Sequence, residues 1–320
     1  MGKYRAGVLL LVLAGLLSFS GASCPYFRRP IDDFANLPPA LPPSPTLDQV
    51  IQVVNNNSSQ IRSFSAPQAT LSGTGFPTLQ ASVAYERPQR LRLRAGTGLT
   101  GPELDLGSND ELFWFWGRRN QPPGLYYCRH AQFASSPVRQ TLLIDPYWLI
   151  EALGVTELDP ALPHQGPVAR SDGRLEIRTV RETPGGPSTK ITVLDRVRGL
   201  VLEQHVLDAR NQLVASAAAS QHRRDPLSGL VLPTIVDLRL PAQQMTMRLS
   251  LGNVQINRPL PNPEQLWAMP AYEGWPPVDL CNPNLTAPPG SQAPAVSSRS
   301  APRYPGRPGV RYGPNAGQAF

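Results

Sequence analysis

The sequence is poor in the residues that most often carry chemistry, with three cysteines, four methionines and four histidines in 320 residues. No Gly-x-Ser-x-Gly elbow, His-Glu-x-x-His pair, phosphate-cradling Gly-rich Lys loop or Cys-x-x-Cys pair occurs. The local signatures of serine hydrolases, zinc peptidases, P-loop enzymes and dithiol modules are therefore missing. The histidines at 130, 164, 205 and 222 show no short ligand spacing, so no metal site and no cofactor is assigned. Asp110 and Glu111, or Asp172 and Glu176, lie in or beside turn signals and read as solvated surface rather than as an acid and base. No catalytic residue is named, and a binding protein rather than an enzyme is expected.

Long apolar runs are also scarce. The one near the start, Ala6 to Phe19, reaches only about 21 Å as a helix, short of the roughly 30 Å hydrocarbon core. Lys3 and Arg5 precede it and the small residues Ser20 to Ser23 follow it, the order of a secretory signal over residues 1–23. Two cleavage outcomes compete. Ser20-Gly21-Ala22 fits the small-x-small rule of ordinary signal peptidase, giving a secreted protein, while Gly21-Ala22-Ser23-Cys24 resembles a bacterial lipobox with Gly21 where Leu is usual. The second outcome predicts lipidation of Cys24 and a membrane anchor on the periplasmic face of the cell envelope. Pro25 to Pro45 holds seven prolines, so residues 24–45 are expected to form an extended, non-packing tether.

At the other end, residues 282–320 hold eight prolines and no acidic residue, the composition of a disordered tail. Arg299, Arg303, Arg307 and Arg311 recur every four residues, but Pro302, Pro305 and Pro308 forbid a helix there. The formal charge of +7 falls to +5 when Lys3 and Arg5 leave with the signal, and these four arginines supply most of it. The remaining domain, 46–281, is nearly neutral, so basicity gives it no claim on nucleic acid. Anionic headgroups or cell-wall polymer are the partners expected of the tail. With Cys24 lipidated, Cys128 and Cys281 remain as a candidate disulfide pair in an oxidising compartment. The competing reading of Cys128, inside Leu125-Tyr126-Tyr127-Cys128, is a buried free thiol.

Within 46–281, Thr46-Leu47-Asp48-Gln49 has capping-box spacing, and Leu47, Val50, Ile51 and Val54 recur at helical intervals. That helix is expected to end near Asn55-Asn56-Asn57-Ser58-Ser59 or resume briefly towards Phe64. The period then becomes two, in Leu79, Ala81, Val83 and Tyr85, and in Leu91 and Leu93 between Arg90, Arg92 and Arg94, which predicts strands with one wet face. In Leu112-Phe113-Trp114-Phe115-Trp116 both faces are apolar, so both must be covered. Asp145-Pro146 reads as an N-cap with Pro at the first helical position, opening a short helix Tyr147 to Leu153 closed by Gly154. Six strands follow, near 174–180, 190–195, 200–207, 213–221, 231–240 and 245–251, separated by turn signals such as Arg198-Gly199 and Asp225-Pro226-Leu227-Ser228-Gly229. The fold class is mainly β (α+β), a large antiparallel sheet with few helices. Trp114, Trp116, Tyr147, Trp148 and Leu149 are candidates to line a pocket for an acyl chain, with packed core as the other reading.

The order of these elements resembles the LolA/LolB-like group of bacterial lipoprotein carriers over most of Thr46 to Met269. The likeness rests on the opening helix Leu47 to Val54, on Tyr85-Glu86-Arg87-Pro88-Gln89-Arg90-Leu91-Arg92-Leu93, and on Gly107 to Trp114 as a turn into an aromatic strand. Leu207 to Leu213 is similar to its late hairpin, and Asn257 to Trp267 to its closing segment. The resemblance implies an unclosed antiparallel barrel-like sheet covered by helices, holding a lipid or acyl chain between them. A structural or sensory envelope lipoprotein that binds a protein or wall polymer without lipid cargo is the alternative.

Overall fold

The structure is a computed structural model and describes Phe34 and residues 37–136, 146–183 and 186–282. The expected signal, Cys24, the N-cap Asp145 and the basic tail lie outside the described residues. The described residues from Pro38 onward form one unit; in the other, ending at Leu37, the Leu37 amide donates to the Phe34 carbonyl.

The capping box holds as read. Thr46 Oγ1 accepts from the Gln49 amide and Gln49 Oε1 from the Thr46 amide, opening α1 (Leu47–Ser59). The polar cluster does not stop this helix, because its amides have long-range partners. Asn55 bonds both backbone groups of Leu158 at 2.8 Å, and Asn57 both those of Val231 at 2.9 Å. Four groups that would otherwise need water are thereby paired. No helix resumes at Phe64; Phe64 is buried at the start of a strand and Ile61 just before it.

Six strands come next, β1 (Ser63–Gly73), β2 (Phe76–Glu86), β3 (Arg90–Thr97), β4 (Gly101–Ser108), β5 (Leu112–Gly117) and β6 (Leu125–Arg129). After α2 (His130–Phe133) and α3 (Pro146–Ala152) come β7 (His164–Ala169), β8 (Leu175–Thr183), β9 (Gly186–Leu194), β10 (Val201–Leu207), β11 (Leu213–Arg224), β12 (Val231–Leu240) and β13 (Met245–Ser250). The chain closes with β14 (Gln255–Ile256), α4 (Pro263–Leu266) and β15 (Pro277–Asp279). Five strands, β1, β4, β7, β14 and β15, were not read from the sequence. β4 includes Gly107 and Ser108, read above as turn, and β7 is interrupted by Gly166 and Pro167.

The fifteen strands of the described residues form one sheet, ordered β15-β6-β5-β4-β3-β2-β1-β13-β12-β11-β10-β9-β8-β7, with β14 paired to β1. Every pairing is antiparallel except β15 on β6, and the sheet does not close into a barrel. This is the architecture the LolA/LolB-like resemblance implied. Cross-strand partners share a face, so Phe64, Tyr85 and Leu91 lie on one side of the sheet and Ala84 and Arg92 on the other. The first side, here the inner face, is the one α1 and α3 cover. Trp148, Ile150, Ala152 and Leu153 of α3 and its exit enter the main core, while Val50, Ile51 and Val54 of α1 pack on Leu175, Ile177 and Leu194. Gly154 ends α3 at φ +104°, where a Cβ would meet Pro233 Cδ at 2.4 Å.

The tether expected over 24–45 does pack at its end. Leu41 is 4% exposed beside α1, and its amide and that of Ala40 donate to the Val197 carbonyl. A buried leucine with a paired backbone overrides local proline content.

Candidate functional site

The register divides the aromatic candidates between two faces. Phe113 and Phe115 continue the inner rows through Ser108 and Leu106, whereas Trp114 lies opposite Gly107 and Trp116 opposite Asp105, on the outer face. Trp114 and Trp116 therefore do not share a space with Tyr147, Trp148 and Leu149, which belong to α3 on the inner face. A period-two reading separates the residues of one strand correctly but does not say which face the helix takes.

On the outer face the closing segment lies over β3 to β5 as a strap. Arg92, 5% exposed, pairs with the fully buried Asp105 at 2.6 Å and donates to the carbonyls of Leu266 and Ala268. Asp105 also accepts from Tyr272 Oη at 2.7 Å and from Trp114 Nε1 at 3.4 Å. Tyr272 stacks on Trp116 with centroids 3.9 Å apart, and Trp275 meets Trp116 edge-on. Burial and the Asp105 carboxylate raise the Tyr272 phenol pKa, so it remains a donor. The face expected to be wet at Arg92 is thus dry. Gly107 is required here, because a Cβ would sit 2.1 Å from the Trp114 ring.

On the inner face α3 is held by its apolar residues in the main core and by polar contacts at its C-terminal end. Lys190 Nζ of β9 is 2.6 Å from Glu151 Oε1, and Gln204 Nε2 of β10 donates to the Glu151 carbonyl and to Thr156 Oγ1. Beyond α3, Arg87, just after β2, donates to Glu157 and to the Ser58 carbonyl, tying the β2–β3 turn to the end of α1 and to the segment that follows α3. On the inner face four buried polar atoms have no partner among the described residues, Trp148 Nε1 of α3 and Tyr85 Oη, Thr192 Oγ1 and Gln204 Oε1 of the sheet. Burial pushes the Tyr85 phenol up to about 12 and also raises Tyr147.

α3 does not cover the whole apolar face. At the end of the sheet where the β1–β2, β3–β4 and β12–β13 turns meet, Phe76, Leu104, Leu240 and Met247 are only half-buried against the core, and Phe115 is 37% exposed. The Thr74 amide donates to the Thr246 carbonyl there, joining two of the turns. Leu99 at the tip of the β3–β4 hairpin is 98% exposed, and Arg118 Nε bonds the Pro102 carbonyl beside it. None of these rim residues was singled out in the sequence. Leu99 carries no periodic signal, and the others look like ordinary core positions until the helix length is known.

Two depressions lie away from α3. One, of about 370 Å³, is on the outer face between Ser72, Glu203, His205, Asp237 and Arg248; the other, of about 790 Å³, adjoins Arg62, Arg87, Arg90 and Asp110. Asp110, Asp172 and Glu176 are each paired with neighbouring arginines. Among the described residues no three ligating side chains gather as a metal site. Cys128 and Cys281 are bonded, with Cα atoms 5.3 Å apart, so Cys128 is buried but not free.

No protein-family model matches the chain, and no curated protein matches it in sequence. Among solved structures, a domain described as outer membrane lipoprotein-sorting, from Vibrio parahaemolyticus, is similar over 68% of this chain and 98% of its own, at 9% identity and TM-score 0.44. A DUF1329 family protein from Desulfovibrio piger is similar over 67% and 95%, at 13% identity and TM-score 0.42. A LolA superfamily protein from Nitrosomonas europaea is similar over 68% and 97%, at 9% identity and TM-score 0.40. The likeness is one of fold and says nothing of cargo.

Proposed function

We propose that this is a non-catalytic protein of the cell envelope, exported and held at a membrane through lipidated Cys24, that binds a lipid or acyl chain on the inner face of its sheet under α3. The observation that carries the reading is the incompletely covered apolar face. Phe76, Leu104, Leu240 and Met247 border it at one end, and the helix across it has seven residues. Apolar surface left in water costs about 25 cal/mol per Å², and an acyl chain would remove it. The polar contacts at the C-terminal end of α3 are side-chain bonds, and these and the apolar packing beside them can separate without breaking the sheet ladder. Leu99 projects from the same end, where it would enter a bilayer, and the basic tail would meet anionic headgroups or wall polymer.

Protein purified from the membrane fraction is expected to release lipid on solvent extraction, detected by mass spectrometry; repeated recovery without lipid overturns the reading. Radiolabelled palmitate incorporation is expected to be lost in Cys24→Ser.

One observation favours the alternative of an envelope protein that binds a protein or polymer. Trp148, Ile150 and Leu153 already occupy the centre of the inner face. If that core is permanent, brominated acyl chains will leave Trp148 emission unquenched at any concentration.

A further inference from the structure

Near the C-terminal turn of α3 the inner face changes from apolar to polar. The ion pair between Lys190 and Glu151 is nearly dry, with side chains 13% and 4% exposed. Thr156 Oγ1 donates to the Glu151 carbonyl at 2.9 Å, and Gln204 Nε2 to the same carbonyl at 2.9 Å. Thr192 lies opposite Gln204 in the register; the two are 0% and 2% exposed, and Thr192 Oγ1 and Gln204 Oε1 have no partner among the described residues. Lys190 lies opposite Thr179, whose hydroxyl is bonded to His164 Nδ1 at 2.8 Å.

This arrangement is asymmetric. Lys190, Thr192 and Gln204 belong to the sheet, while the anion that satisfies Lys190 belongs to the helix that must move if cargo is to enter. Removing one member of a buried pair leaves an uncompensated charge, which is strongly unfavourable. Lifting α3 therefore leaves an ammonium, a hydroxyl and an amide N–H together on the inner face, all able to donate and lacking an anion. An apolar row starts at the same place. Lys190 is opposite Val206, Val206 opposite Ala215, and the β11–β12 register sets Ala215 beside Leu240 at the half-buried rim. Three strand spacings separate Lys190 from Leu240, about 14 Å.

We infer that Glu151 stands in for the headgroup of an anionic amphiphile. A carboxylate or phosphate replaces it on Lys190 and accepts from Gln204 Nε2 and Thr192 Oγ1, while the chain lies along Val206, Ala215 and Leu240. The inference rests on the proposed binding of an acyl chain to the inner face and adds the charge of the cargo. It also gives the closed state a reason to hold until the right ligand arrives, since a neutral lipid does not compensate Lys190.

The test is calorimetric titration of the full chain, stripped of lipid, with oleate, oleyl alcohol and inorganic phosphate. Oleate is expected to bind at least about tenfold more tightly than oleyl alcohol, the scale of a charge-assisted hydrogen bond in a dry site. Glu151→Gln removes the competing anion and should tighten oleate several-fold while the preference for oleate over oleyl alcohol persists, because the change also frees α3 for an uncharged chain. Lys190→Met strands Glu151 and risks misfolding, so the uncharged double variant Lys190→Met with Glu151→Gln is the control, and in it the preference for oleate should fall to within about twofold. Equal binding of oleate and oleyl alcohol by the unmodified chain overturns the inference and leaves the acyl-chain reading standing, whereas binding of neither overturns both. Weakened oleate binding in Glu151→Gln overturns the headgroup role, and phosphate alone matching oleate shows an ion site with no chain, which overturns the amphiphile.

Discussion

Asp105 collects three donors in the absence of water, from Arg92, Trp114 and Tyr272. Asp105→Ala leaves the Arg92 charge buried without an anion, and a loss of about 3–5 kcal/mol is expected from urea unfolding. His222 is a second site where burial decides the outcome. Its Nε2 bonds the Val201 carbonyl, and burial lowers its pKa below the ordinary histidine value. The unfolded chain then binds a proton at a higher pH than the folded one, so stability should fall as pH drops through the ordinary histidine range. Between about pH 7.5 and 5.5 the urea midpoint should decline more in the unmodified protein than in His222→Gln. Neither site was legible beforehand. Arg92 sits between Leu91 and Leu93 in an alternation that predicts solvent, and only the distant segment 266–275 makes it dry. Local period reports which residues share a face, not what later crosses that face.

Among the elements, α1 was legible at its start because a capping box is written within four residues. Its end was not, because Asn55 and Asn57 are helix breakers by composition and are held in the helix by Leu158 and Val231, far away in sequence. α3 was legible from Pro146 and Gly154, but the face it takes depends on sheet topology. That is why Trp114 and Trp148 seemed to belong together. β15 was not foreseen at all: three residues make a strand only because β6 offers an edge and Cys281 is bonded to Cys128. Replacing both cysteines by serine should lower stability by about 2–5 kcal/mol. Hydrogen exchange should show the loss first at Leu125–Arg129, where β15 no longer protects the ladder.

For the whole molecule, the sheet class and most strands followed from alternation and turn residues, since nearly all neighbours in the sheet are also neighbours in the chain. The rim did not follow, because it is defined by what a seven-residue helix fails to reach. If that end meets a bilayer, Leu99→Asp should reduce sedimentation with vesicles several-fold while leaving thermal stability within about 0.5 kcal/mol, as expected at a surface position. The exceptions to neighbourly order are β15 on β6, β14 on β1 and, at the middle of the sheet, β1 on β13, with Thr70 opposite Ser250. A polypeptide that emerges from its beginning delivers β1 early and must wait for β13, so the seam at the middle of the sheet is sewn late. Until then two half-sheets present raw edges, and a chain cut after Leu240 should stay protease-sensitive however much of its pattern it retains.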